Sequence, residues 1–404
     1  MNYEKYLLNN GIELIYIPAP NSARTVISIG MEGGRRYDEI PGASLLRSRL
    51  TLKGTTTRDA ETILRELDNN AISLSDHLDN DYQYLSAAFL PQKFDIAMEL
   101  LADVFLNPTF AEWEKEIQQM IGAIHASLDM PPEIVRDLLT RTIFNNHPYS
   151  YTGTKVLQAI PKLNQELLVS EYKKILNERH LIICVSGNMD PQQLLQIMNG
   201  YFGLLPARSF QPFLPAFTPI NEDIEVIETK AEMNQAHVIM SWYAPKFGDD
   251  MMVPLRIANI ILGGGMSSRL FRELRDKQGL AYSIGSGYLP YIQVGQFAIN
   301  IGTSPTNIDK IAPQFIEQLQ KMQNNIVSDE EFERAKTVIR ANHILGHETN
   351  RNWCLDYAHL ASIGAPLEYF KLMLEKLKLV TKEDVMLAMQ QINGPSVKAV
   401  LMPE

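Results

Sequence analysis

Apolar and polar positions alternate with a period of two near the start of the chain. GIELIYIPAP and ARTVISIG read as two strands around turn chemistry at Pro18-Ala19-Pro20-Asn21. A Gly-Gly turn at 33–34 leads into PGASLLRSRLTLKG, which is long enough for a helix and stops at Gly54. TRDAETILREL predicts a second helix, and AISLSDHLDNDYQYLSAAFL returns to strand alternation with a hairpin turn at Asn80-Asp81. Helical spacing resumes over Phe94–Phe105, Phe110–Leu128 and Ile134–Phe144, the last two around Pro131-Pro132. After HPYSYTG come a helix near 165–176, a buried strand HLIICVSG, and a helix with Asp190 as N-cap and Pro191 as first residue.

The stretch 206–221, PARSFQPFLPAFTPIN, holds four prolines, no glycine and no helical period, so it predicts an extended linker. Beyond it the pattern starts again. DIEVIETK and HVIMSWYAP read as paired strands, VPLRIANIILGG as a helix, and strands continue through Ile301. Helices are expected near 307–324, 329–346, 351–363 and Lys382–Ile392, and KAVLMP closes as a strand. The halves also rhyme. EWEKEIQQMIGAIHASLDMPPEIVRDLLTRTIF echoes EEFERAKTVIRANHILGHETNRNWCLDYAHLASI at a period of about 215 residues, which marks a duplicated domain. The expectation is an α+β fold in two homologous halves, 1–205 and 222–404, each a largely antiparallel sheet with helices packed on one face.

Composition narrows the function classes. Apolar residues make up 45% of the 404 and charged ones 21%, enough for sizeable cores. A net charge of −10 argues against nucleic acid as the partner, since a phosphate backbone calls for a basic face. Cys184 and Cys354 lie far apart and form no disulfide framework; Cys184, within LIICV, reads as core. The first twenty residues lack a signal-peptide pattern, and no run approaches the roughly 18 apolar residues of a membrane helix. A cytoplasmic protein is expected, with a periplasmic one open if a leader has been trimmed, and no membrane partner.

The stretch Gly263–Tyr288, GGGMSSRLFRELRDKQGLAYSIGSGY, carries the candidate chemistry. Its glycines let a backbone bend or another chain approach, so Gly264, Gly265, Met266 and Ser267 are the expected substrate-binding turn. A short helix over Arg269–Arg275 and a strand-like LAYSIGSGY follow, which aims Arg275 and Tyr282 from a helix end and the next strand. A guanidinium fork and a phenol are donors suited to a peptide carbonyl or a developing oxyanion. On spacing alone, a surface Arg and a half-buried strand Tyr remain the bland alternative. His343 and His347 stand four apart on an expected helix, a zinc-like spacing, but no third ligand is evident and a packed or solvated face is simpler. GGGMSS lacks the Gly-Lys-Ser/Thr ending of a phosphate loop.

SSRLFRELRDKQGLAYSIGSGY resembles the C-terminal signature of the insulinase/pitrilysin-type zinc peptidases, the inverzincin group. GIELIYIP, HPYSYTG, HLIICVSGNMDP and YFGLLP fall in the same order, so the resemblance spans the chain. It implies an insulinase-type fold of two similar halves, in which Arg275 and Tyr282 match the pair that contacts substrate near the scissile bond. The first half departs from the pattern. Where zinc-bearing members carry G-x-A-H-x-x-E-H-x-x-F-K-G-T, this chain has GASLLRSRLTLKGT, in register from Gly42 to Thr55. Leu45 and Arg49 fall at the two His positions and Ser48 at the general-base Glu. The third ligand's expected place falls near Gly122 and Ala123. Leu offers no lone pair, and a permanently charged guanidinium repels a cation. His125 is at most one remnant ligand.

The resemblance therefore implies a chain with no metal or other cofactor of its own, active only beside a homologous subunit that carries H-x-x-E-H and zinc. Such a heterodimer would close around an unfolded peptide, with Arg275 and Tyr282 acting in trans. The alternative is a non-catalytic scaffold or peptide-binding homologue, for which a homodimer is open.

Overall fold

The computed structural model describes residues 2–404. The first half of the sequence forms β1 (Glu4–Leu7), β2 (Glu13–Pro18), β3 (Thr25–Glu32), α1 (Ala43–Leu50), α2 (Ala60–Asn69), β4 (Ser73–Leu78) and β5 (Tyr82–Phe89). It continues through α3 (Phe94–Leu106), α4 (Trp113–Leu128), α5 (Pro131–Ile143), α6 (Gly153–Ala159), α7 (Gln165–Glu178), β6 (Leu181–Gly187) and α8 (Pro191–Phe202). The second half forms β7 (Ile224–Lys230), β8 (Ala236–Ala244), α9 (Met252–Gly263), β9 (Ser283–Pro290), β10 (Gly295–Thr303), α10 (Ile308–Asn324) and α11 (Asp329–Gly346). It ends with α12 (Asn350–Ser362), α13 (Tyr369–Leu379), α14 (Lys382–Gln390) and β11 (Ser396–Pro403).

The chain divides into two compact units. Among the described residues, the first comprises those up to 123, 155–215 and 346–369, and the second 124–154, 216–345 and 370–404. Each unit therefore draws one helical segment from the other half of the sequence.

In the first unit the sheet runs β1-β2-β6-β3-β5-β4. Every residue of β6 is buried, and such a strand belongs in the middle of a sheet. It lies between β2, to which it is parallel, and β3, to which it is antiparallel. Period two then divides the side chains. Ile27, Ile29, Met31, Leu85, Ala87, Ile183 and Val185 pack on one face against α2, α3 and α8. The opposite face receives α12. A Cβ on Gly30 would come within 2.6 Å of the Ala358 carbonyl, so only glycine permits this approach. Cys354 on α12 points its thiol at the Cys184 carbonyl, 3.3 Å away.

The second unit repeats the design, with strand order β7-β11-β8-β10-β9. β11 is parallel to β7 and antiparallel to β8. The direct pairing of β7 with β8 expected from sequence is thus corrected. β11 is apolar on both faces, with Val400 on one side and Val397, Ala399 and Leu401 on the other, so it takes an interior place between β7 and β8. Val238, Phe297, Ile299 and Ile301 face α9, α10 and α14, whereas Val397, Ala399 and Leu401 face α5.

The segment 206–221 has no regular element, as its prolines require. Its first part is tied to the first unit, where the fully buried Arg36 donates to the Phe213 carbonyl at 2.6 Å and also pairs with Asp81 at 2.9 Å. Its last part belongs to the second unit, where Phe217 and Ile220 join the core and the Ile220 amide donates to the Tyr243 hydroxyl at 3.1 Å.

Candidate functional site

The positions that the resemblance marks as those of a zinc site, Leu45, Ser48, Arg49 and the Gly122-Ala123 pair, lie on α1 and α4. Leu45 is half-buried on α1 with no donor atom to offer. Ser48 hydrogen-bonds the carboxylate of Asp76, whose pKa burial pushes up. Arg49 donates through Nε to Glu116 Oε1 at 2.7 Å, and Lys53 Nζ lies 3.4 Å from Glu116 Oε2. Glu116 is buried and sits 67 residues along the chain from Arg49, on α4. Gly122 and Ala123 lie on the exposed side of that helix, and His125 is exposed. An apolar side chain, a hydroxyl engaged by a carboxylate, and a guanidinium already neutralising the nearby glutamate do not fit zinc. Among the described residues, no three His, Cys, Asp or Glu side chains come together as a metal site. The His343/His347 pair is separated as well. α11 ends at Gly346, so His347 lies beyond the helix, 2.6 Å from Asp356 and against Trp353, while His343 stacks near Phe370.

The glycine-rich segment is built differently. Gly263 closes α9 against β9, and a Cβ there would fall 2.3 Å from the Ser286 amide. Ser286 donates in turn to Asn259 Oδ1 at 2.7 Å, locking strand to helix. Gly264, Gly265, Met266 and Ser267 then form an exposed turn, with Met266 78% exposed. Two buried leucines, Leu270 and Leu274, pin the next segment to the core. Arg269 forms a bidentate pair with Glu331, at 2.8 and 2.7 Å. The expected α-helix here is a π-helix over Phe271–Lys277, a wider turn of the kind often found at functional positions.

Arg275 lies on that π-helix, exposed, with its guanidinium 4.7 Å above the Phe271 ring. Tyr282 immediately precedes β9. Its amide donates to the Gly302 carbonyl at 2.8 Å, and its side chain is 60% exposed. Among the described residues, neither the Arg275 fork nor the Tyr282 hydroxyl has a hydrogen-bond or ion-pair partner. Arg269, six residues before Arg275, is by contrast fully engaged. Donors left unused in an otherwise paired segment are available to a ligand.

Two further features went unread in the sequence. β9 is an edge strand, so its outer amides and carbonyls lack a strand partner, and Gly285 and Gly287 leave its surface low. Beside it, a cleft of about 250 Å³ separates α5 from the β8–β10–β9 face, lined by Val135, Leu139, Gly287, Leu289, Tyr291 and Asn300. An extended peptide can add to such an edge and drop side chains into such a cleft. The signal was the Ser/Gly alternation along SIGSGY, which marks a strand whose face stays uncovered.

Glu331 anchors the segment electrostatically. Its hydrogen bond from Arg269 holds its carboxyl down at about 2, against partial burial. The unfolded chain then binds the proton first as pH falls, so this contribution is complete above pH 4.5 and disappears toward pH 2. Glu331→Gln should flatten the acid limb of the stability–pH curve over that window while lowering stability at neutral pH. Urea titrations at several pH values check this, and an unchanged acid limb would refute it.

Comparisons with known proteins bear on the family and the fold. A model described as insulinase, peptidase family M16, matches residues 14–155, and one described as the peptidase M16 inactive domain matches residues 162–339. An uncharacterized zinc protease of Rickettsia felis is 28% identical over 357 residues, covering 86% of this chain and 84% of its own. The uncharacterized zinc protease YmxG of Bacillus subtilis is 26% identical over 355 residues, covering 86% and 85%. The crystal structure of a peptidase M16 inactive domain from Pseudomonas fluorescens superposes with a TM-score of 0.89 at 20% identity, covering 100% of this chain and 98% of that one. A protease from Helicobacter pylori gives 0.89 at 18%, covering 100% and 99%. At these identities the structural likeness establishes the fold.

Proposed function

Because the chain belongs to the insulinase (M16) family of peptidases, we propose that it is the non-zinc subunit of a two-chain peptidase and grips unfolded peptide with Arg275 and Tyr282. The observation that carries this reading is a contrast within one molecule. At the ligand positions, Arg49 is consumed by Glu116, while the Arg275 and Tyr282 donors are exposed and unpaired. A homologous partner would bring the metal. This chain would orient the peptide through β9 and the turn Gly264–Ser267, and direct the Arg275 fork and the Tyr282 phenol at the carbonyl under attack. Donors already in place where charge develops cost no reorganisation at the moment of reaction.

Co-purification tests the reading. The expected result is a homologous chain carrying H-x-x-E-H, and a complex that cleaves unfolded peptides until a chelator is added. A stable homodimer inert toward every peptide would instead support the scaffold or peptide-binding alternative, for which the edge strand and cleft suffice. Metal analysis of the dialysed chain alone should find no stoichiometric zinc, since Leu45, Ser48 and Arg49 offer no ligand set. A value near one zinc per chain would overturn the assignment.

A further inference from the structure

The geometry points to Phe271 as a positioning residue for Arg275. Phe271 precedes Arg275 by four residues on the π-helix, and its ring lies 4.7 Å below the guanidinium. On either side of the ring, Leu270 and Leu274 are fully buried, so the backbone carrying Phe271 is fixed to the core. The face of an aromatic ring attracts a cation through its quadrupole. An exposed arginine otherwise samples many rotamers, and nothing else among the described residues holds this one. A contact through the ring face takes no hydrogen bond from the guanidinium, so its N–H donors stay free for a ligand. An ion pair such as Arg269–Glu331 would occupy those donors. Phe271 thus sets the direction of the fork without touching substrate. The inference rests on the substrate-contacting role proposed above for Arg275.

The test uses Phe271→Leu, which keeps an apolar side chain but removes the ring, with Phe271→Tyr and Phe271→Trp as conservative variants. In the isolated chain, NMR order parameters of the Arg275 Nε–H bond should fall in Phe271→Leu and recover in the aromatic variants. This readout needs neither partner nor substrate. In the reconstituted complex, Phe271→Leu should lower kcat about 2–5-fold, matching an exposed cation–π contact, with little change in KM. The same change made on Arg275→Ala should cost nothing further. Unchanged Arg275 order in Phe271→Leu overturns the inference, as does an equal kcat loss in the Arg275→Ala background. If Arg275→Ala itself leaves turnover intact, the functional reading fails, while the order parameters still decide whether the ring orients the fork.

Discussion

If the chain works as the proposed non-zinc subunit, changing Arg275 to Ala is expected to lower peptide turnover by the reconstituted complex on the order of 10²–10³-fold, with zinc content and assembly unchanged. The size follows from losing one pre-organised donor to an oxyanion. The selectivity follows from location, because Arg275 is exposed on a segment whose buried anchors are Leu270, Leu274 and the Arg269–Glu331 pair. Removing its side chain therefore leaves the fold intact. Arg275→Lys should recover little, because an ammonium cannot reproduce a planar fork stacked on Phe271. Tyr282→Phe removes only a hydroxyl and should lower kcat more than it raises KM, since the donor acts on charge absent from the ground state. Steady-state kinetics on several unfolded peptides check all three. If Arg275→Ala and Tyr282→Phe both keep full activity, the co-catalytic role is lost and the scaffold reading stands.

The largest stability effect is expected at Arg47, on the inner side of α1. Arg47 is 6% exposed and paired with Glu171, itself 7% exposed, and the nearby Asp38 is 5% exposed. Burial raises the Glu171 carboxyl, and it raises Asp38 to about 7, although Arg47 pulls both down. Arg47→Ala removes the one cation that acts on both groups, leaving Asp38 with its hydrogen bonds from Ser44 and Glu171 with the more distant Lys174. Breaking a buried pair in this way costs roughly 3–5 kcal/mol. The loss has a pH signature. A buried carboxyl needs Arg47 only when it is charged, so the deficit should be largest near pH 8 and shrink as pH falls through about 7, where Asp38 takes up its proton in both folded proteins. Urea unfolding of Arg47→Ala at pH 8 and pH 5 measures it, and Arg47→Met with Glu171→Gln should regain much of the stability. A loss that is small and the same at both pH values would mean that water reaches the pair.

Local patterns carried a large share of this structure. The β4–β5 hairpin turn, the buried strand β6 and the Asp190 cap were legible because each depends on neighbours a few residues away. The helix expected over Arg269–Arg275 proved to be π rather than α, because the hydrophobic spacing does not distinguish the two. β1, α6 and α13 were missed. β1 and α6 are too short for a clear period, and α13 buries only Met373 and Leu377 on a mostly exposed face.

By itself the sequence determined which residues are apolar, where the chain must turn, and which side chains stand at positions 45, 48 and 49. Tertiary structure alone decided which partners those residues found. It placed β6 and β11 between strands that lie far earlier in the chain, and laid α12 and α5 on the free faces of the two sheets. It gave Arg49 to Glu116, left Arg275 to Phe271, and opened the cleft beside β9. The reason is physical. Period and turn chemistry are set by how each residue divides between water and an interior, and this can be read locally. A strand's neighbour or an arginine's carboxylate is chosen by competition among all buried faces and charges at once, and that competition has no local record.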